Sequence, residues 1–320
     1  MQEVVVSCRK VMEEARHVAI NREALGRLAK DLAGADARPL PYRNGIHFQG
    51  SPEKTLWYVL VLTTVNFCFF PEPGRKRWEK EGSRGVLSGY DGMAAALTYA
   101  FEAGMPLDDP RYLASMPLSD FMDMIGPRGS LPLVEQRVSA LNELGRVLGE
   151  SFSGSPERLV EAAQGSAVRL CRLAARALTS FRDFTLCRGR AVFFYKRAQI
   201  LGSDLAGAFS GQGPGAFRDL DKLTCFADYK LPQVLREAGV LAYAPELTEQ
   251  VDTQRPLSPG AEEEAEIRAA TVAAVEGLKQ ALAEQGVVRS SRDLDNILWT
   301  LGQDDRYRRK PYHRVYGIYY

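Results

Sequence analysis

The 320-residue chain sets 41 Lys and Arg against 40 Asp and Glu, a net charge of +1, and 45% of its residues are hydrophobic. This composition excludes a chain disordered as a whole, and it argues against attachment to nucleic acid by bulk charge, because polyanion binders carry a clear basic excess. Three histidines cannot build a His-rich metal site, and five scattered cysteines with no C-x-x-C pair indicate neither a zinc ribbon nor a disulfide framework.

The opening segment, MQEVVVSCRKVMEEARH, is charged too early for a secretory signal. A cytoplasmic, reduced protein without metal or cofactor is expected. Asn21 caps a predicted helix with Leu25, Leu28, Ala29 and Leu32 on one face, ending near Gly34. Ser51-Pro52 starts a second, running through an apolar stretch to Asn66. The whole apolar stretch, Leu56 to Phe70, is shorter than the roughly 20 residues of a membrane-spanning helix. The basic segment PEPGRKRWEKEG reads as an exposed loop or hairpin, and Arg84 to Ser88 as a short strand or buried turn.

Tyr90 to Gly104 is an Ala-rich helix, Ser155-Pro156-Glu157 opens another that reaches Gly165, and Gly189 to Tyr195 is a second candidate strand. Ser210 to Phe217 and Thr248 to Gly260 read as loops. The longest helix is expected from Ala261 to Gln285, with three glutamates in its first turn, where the helix dipole favours them. The fold class is therefore all-α or predominantly helical.

Three segments mix charge with aromatic side chains beyond the needs of a plain core: Asn66 to Phe70, Phe193 to Gln199 followed by Asp204, and Thr224 to Gln233. Asp228, between Phe226 and Tyr229, is either the cap of the helix containing Leu231 to Leu235 or a desolvated carboxylate tuned for catalysis; the two roles are compatible. Lys196-Arg197 is a solvated helix face or a phosphate clamp. Arg75-Lys76-Arg77 reads as a solvated loop, and His47 as a lone loop histidine. Four tyrosines in Pro311 to Tyr320 predict a segment docked on the body, able to close one wall of a pocket. No Walker loop, dinucleotide fingerprint or nucleophile elbow is present.

FADYKLPQVL (Phe226 to Leu235) and PYHRVYGIYY (Pro311 to Tyr320) resemble the queuosine salvage protein family, the queuosine 5′-phosphate N-glycosylase/hydrolases. The likeness continues in collinear order through VNFCFF, SGYDGMAAAL, MPLSDFMDMIG, LPLVEQR, FRDFT and VFFYKRAQIL. It implies an all-helical enzyme, similar in fold to helix-hairpin-helix DNA glycosylases, that hydrolyses queuosine 5′-monophosphate and releases queuine for transfer-RNA modification. It also implies one compact domain over 1–320, or two helical lobes with the active site between them, and neither direct nucleic-acid nor membrane binding. By motif, Asp228 matches the catalytic aspartate, Phe226 a base-contacting aromatic and His47 a ligand-contacting histidine. Near Trp299 the family places an Asp-Tyr pair and a further Asp; here Thr300-Leu301 stand at the pair, with Asp304 as the last carboxylate.

The chemistry suggests further candidates. Glycosidic cleavage develops positive charge on the ribose, which Asp228 would stabilise. Lys196 and Arg197, then His313 and Arg314, are candidates for the phosphate. Asp204 or Asp304 would pair with the ammonium of the queuine side arm. Phe67, Phe226 and Tyr229 are candidates to stack on the base, with Asn66 and Tyr195 as neighbouring contacts. The alternative is a helix-hairpin-helix base glycosylase acting on nucleic acid.

Overall fold

The computed structural model describes residues 1–35, 46–82 and 85–320. Its elements in chain order are α1 (Gln2–Glu13), β1 (Val18–Ile20), α2 (Arg22–Leu32), α3 (Pro52–Val65), β2 (Glu79–Gly82), β3 (Gly85–Ser88) and α4 (Gly89–Glu102). Then come α5 (Pro110–Ser115), α6 (Leu118–Ile125), α7 (Val134–Ser151), α8 (Pro156–Ala162), α9 (Ala167–Ala177), β4 (Phe184–Cys187), β5 (Arg190–Phe193) and α10 (Lys196–Ala208). The chain continues with α11 (Lys230–Glu237), β6 (Leu241–Tyr243), α12 (Pro245–Asp252), α13 (Glu262–Ala283) and α14 (Ser291–Leu301). The fold is predominantly helical, as the capping and periodicity signals predict.

Local chemistry accounts for most helix starts. Asn21 accepts from the backbone of Glu23 and Ala24, Ser51 from Lys54 and Ser155 from Glu157, and proline follows directly at Pro52 and Pro156. Every residue of α3 from Thr55 to Val65 is buried, so its apolar character reflects a core position. No described helix is long and apolar enough to cross a membrane. α13 is buried along most of its length and packs on α1, α2 and α14. Gly145 lets α7 meet α5: a Cβ there would lie 2.3 Å from the Ala114 nitrogen.

The strands form antiparallel two-stranded pairs, β1 with β6, β2 with β3 and β4 with β5. Gly189 to Tyr195 therefore supplies one arm of a hairpin, whose partner is Phe184–Cys187. Arg84 lies outside the described residues, as do Asn44 and Gly45 beside His47. The basic segment is part loop and part hairpin, as expected, its last residues forming β2; the exception to its exposure is Trp78, which is buried and donates to the Ile125 carbonyl at 3.2 Å. The stretch Thr248 to Gly260 is not all loop either. Its first residues finish α12, where Pro245 starts the helix and Leu247 and Val251, four apart, bury one face.

Candidate active site

A cavity of about 210 Å³ lies where α10, α14 and the loop before α11 converge. α10 presents Lys196, Ile200, Ser203, Asp204 and Gly207, a single helical face. α14 contributes Asp295, Asn296 and Trp299, and the loop contributes Phe226, Asp228 and Tyr229. His47, Asn66, Phe69, Tyr90 and Tyr320 complete the lining.

The loop carrying Asp228 is fixed from three sides. Gln199 on α10 accepts from the Thr224 backbone at 2.8 Å and donates to the Thr224 hydroxyl at 2.9 Å. Asp295 on α14 accepts from the Phe226 backbone at 2.7 Å. Arg268 on α13 donates through Nε to the Ala227 carbonyl at 3.1 Å. The same guanidinium grips Asp183 with two bonds, 2.9 and 2.6 Å, and lies 3.9 Å from the Phe194 ring centre. Asp183 in turn accepts from the Lys196 backbone at 2.9 Å. One fully buried ion pair thus registers both the start of α10 and the residue preceding Asp228.

Asp228 is a cap and a cavity residue together. Its Oδ1 accepts from Lys230 N at 2.7 Å and Leu231 N at 2.9 Å, closing the first turn of α11. Burial pushes its carboxyl above the ordinary aspartate value, against the pull of Lys196 and of those two N–H donors. Burial brings the Lys196 ammonium down to about 8, with Asp228 opposing. Asp295 is pushed up to about 8 by burial, opposed by its bond from Phe226 and reinforced by the charge of Asp228. Asp204 is pushed up to about 7 by burial, opposed by Arg292, and its Oδ2 is buried without a hydrogen-bond partner. Burial thus raises all three carboxyls of the cavity above the ordinary aspartate value, with Lys196 and two N–H donors opposing it at Asp228.

Of the residues singled out in the sequence, His47, Asn66, Lys196, Asp204, Phe226, Asp228 and Tyr229 share this cavity. His47 is buried, with Nε2 3.0 Å from the Tyr90 hydroxyl, and is no exposed loop residue. Lys196 and Arg197 are likewise buried, at 6% and 1% exposure, against the expectation of a solvated face. Arg197 turns away from the cavity: its guanidinium donates to the Thr64 and Ser180 carbonyls and covers Phe67. Phe67 does not reach the cavity, being wedged between Arg137 and Arg197 at 4.3 and 4.7 Å from its ring centre. Tyr195 stacks on Phe193.

The remaining candidates also stand elsewhere. Asp304 caps the turn Asp305–Tyr307 and pairs with Arg306 at 2.8 Å. His313 bonds the Tyr320 hydroxyl at 3.1 Å, and burial with nearby Arg268 brings it down to about 3, so it is uncharged at neutral pH. Arg314 holds Gln254 at 2.5 Å. The segment containing these two is docked as expected: Tyr312 and Tyr316 pack on Phe70, and Tyr320 forms one cavity wall.

Near Trp299, the structure puts Asp295-Asn296 in the cavity in place of Thr300-Leu301. The readable signal was an acid inside the apolar stripe of α14, between Leu294 and Leu298. Among the described residues, His17, Glu262 and Glu266 lie close enough to share a metal ion. Glu266, however, already accepts from the backbone of Arg16, His17 and Val18 and pairs with Arg188, which gives it a structural role.

A helical fold, a recessed pocket with aromatic walls, and buried carboxylates beside one lysine are the features of a candidate small-molecule site suited to acid–base or electrostatic chemistry. Residues 46–320 match the model of the queuosine salvage protein family, and the chain belongs to that family. It is 42% identical to the queuosine 5′-phosphate N-glycosylase/hydrolase of Sphaerobacter thermophilus, over 99% of this chain and 97% of the relative. Proteins of the same name from Dictyostelium discoideum and Bos taurus are 33% and 32% identical, each covering at least 95% of both chains.

Proposed function

We propose that this chain hydrolyses the N-glycosidic bond of queuosine 5′-monophosphate, giving queuine and ribose 5-phosphate for salvage into transfer-RNA modification. The reading is supported by near-full-length relatives of that name. The observation that carries it is a buried Asp228 in an aromatic-walled cavity, with Lys196 and two N–H donors favouring its anion.

The C1′–N bond breaks with its electron pair leaving on the base, and positive charge grows on the ribose. Asp228 is the anion set against that charge in a low-dielectric setting, where such an interaction is strong. Lys196 helps keep it ionised. A 7-deazapurine lacks the ring nitrogen at which a purine leaving group is often protonated, so electrostatics at the sugar carry more of the barrier. Asp295, protonated near neutral pH, gives the departing base its proton, and water then adds its hydroxyl to C1′ and returns its proton to Asp295. Phe226 and Tyr229 flank the base, His47 and Asn66 supply polar contacts, and the unpartnered oxygen of Asp204 suits the side-arm ammonium.

The alternative of a nucleic-acid base glycosylase is not favoured. The net charge is +1, and Leu231-Pro232-Gln233 continues α11 where that class would need a glycine-rich hairpin. We infer a cytoplasmic setting, supported by five buried, unpaired cysteines. The test is Asp228→Asn. It should stay folded and bind queuine, while queuine release falls at least about 100-fold; turnover at the native rate would refute the assignment.

A further inference from the structure

Beyond Tyr229, which lines both spaces, a second cleft of about 720 Å³ opens between the start of α11, the segment before β2 and the turn that follows α14. Arg77, Lys230, Arg308, Arg309 and Arg314 line it, and Arg309 pairs with Glu237. Among the described residues the other four, of which Arg77 and Arg308 are exposed, meet no carboxylate closer than 3.7 Å. Lys230 Nζ donates to Gln233 at 2.9 Å, Arg308 to the Gly302 carbonyl and Gln303 at 3.0 Å, and Arg314 to Gln254 at 2.5 Å. All of these acceptors are neutral. Arg314 Nε is buried with no partner. The nearest carboxylate to Arg308, on Asp305, is 3.7 Å away and 99% exposed, where an ion pair is worth little. Two acids also line the cleft: Asp252, paired with Arg236 at 2.7 Å, and Asp91.

Cations gathered in one cleft repel one another unless an anion joins them. Lys230 registers this: burial first, then Arg308 and Arg77, bring its ammonium down to about 8 against the pull of Asp228. The cleft is also correctly placed for the reaction. Lys230 follows Asp228 by two residues, and Tyr229 stands between. In a nucleotide the 5′-phosphate lies across the sugar from the glycosidic carbon, so a ribose with C1′ at Asp228 directs its phosphate away from the base.

We propose that this cleft is the subsite for the phosphate monoester of the nucleotide, held by Arg77, Lys230, Arg308 and Arg314, while Lys196 serves as the counter-charge of Asp228. The assignment rests on the function proposed above. It gives Arg77 a binding role, where the sequence suggested only a solvated loop.

The experiment compares kcat/KM for queuosine 5′-monophosphate and for queuosine, in the native protein and in the double variant Arg77→Ala/Arg308→Ala, with ribose 5-phosphate as inhibitor. The native protein should prefer the nucleotide. The double variant should lose at least about 100-fold on the nucleotide, mainly through KM, since each charge-assisted bond contributes roughly tenfold. Its rate on the nucleoside should be unchanged, which also reports an intact fold, and inhibition by ribose 5-phosphate should weaken in parallel. A retained nucleotide preference would overturn the subsite, as would a short RNA competing better than ribose 5-phosphate. If the double variant does not fold, Arg308→Gln alone should give the same selective loss, about tenfold. Failure of the native protein to cleave either compound would instead refute the proposed function.

Discussion

Two groups of buried charge can be set side by side. Around Phe67, Arg137 donates to the Val65, Pro132, Leu133, Phe67 and Cys68 carbonyls, and Arg197 to those of Thr64 and Ser180. Both guanidiniums also rest on the aromatic face. Around the cavity, Asp204 leaves an oxygen unpaired, Asp295 holds one backbone N–H, and Lys196 and Asp228 face each other across space that a ligand can enter. In the first group all the donors of Arg137 are matched and only Nε of Arg197 lacks a partner, and the charge holds the chain together. In the second the matching is incomplete, which destabilises the resting protein and leaves bonds that a ligand in the cavity could complete. Burial alone does not separate structural from functional charge; the inventory of partners does.

The strongest way to break this contrast is Arg137→Met. Losing the guanidinium leaves several buried carbonyls without donors, including those at the end of α3, and should cost about 3 kcal/mol or more. Urea unfolding should show the loss, with any fall in activity following the folded fraction. A variant as stable as the native protein would mean that the carbonyl contacts are dispensable.

Much of this was legible in the sequence. The caps at Asn21, Ser51 and Ser155 marked helices, and Asp228 among aromatics marked the site, because each rests on local chemistry. Lys196 and Asp204, eight positions apart, could be read onto one helical face. The split between Lys196 and Arg197 could not. Successive residues turn about 100° around a helix, and which one meets the cavity depends on the packing of α3 and α9 against α10. Asp295 was hidden for a related reason, since its value comes from the Phe226 backbone and from Asp228, neither adjacent in sequence. Polarity concealed the end of α12, whose burial depends on only two apolar positions.

A middle-sized effect should appear with pH. Asp295 and Asp204 are raised by burial to about 8 and about 7, whereas unfolded aspartates titrate near 4. On these two groups the folded chain therefore holds more protons than the unfolded one between those values, and their contribution to stability falls as pH rises from about 4 toward 8. His313, held down, contributes in the opposite sense below about pH 6.5. Asp295→Asn removes one of the raised groups. Between pH 5 and pH 8 the variant should lose less stability than the native protein, by about 2 kcal/mol, an amount reduced by structural relaxation around the charge. Chemical denaturation at both pH values measures the difference; equal slopes would show that Asp295 titrates normally. In turnover, loss of its proton should depress kcat above about pH 8.

The smallest stability change, and the finest test of the contrast, is Asp204→Asn. Its Oδ2 has no partner, and Arg292, the cation opposing its shift, donates to Ser203 at 2.8 Å. Replacing the carboxylate by an amide removes a buried charge while keeping the shape, so stability at pH 8 should stay level or rise by about 1 kcal/mol. Binding should change in the opposite sense. If Asp204 receives the ammonium of the side arm, the variant's KM should rise about tenfold with kcat little altered, because the contact lies away from the bond that breaks. An analogue without the amine should bind both proteins equally. A loss of stability with unchanged KM would place Asp204 with Arg137 and Arg197 among the structural charges.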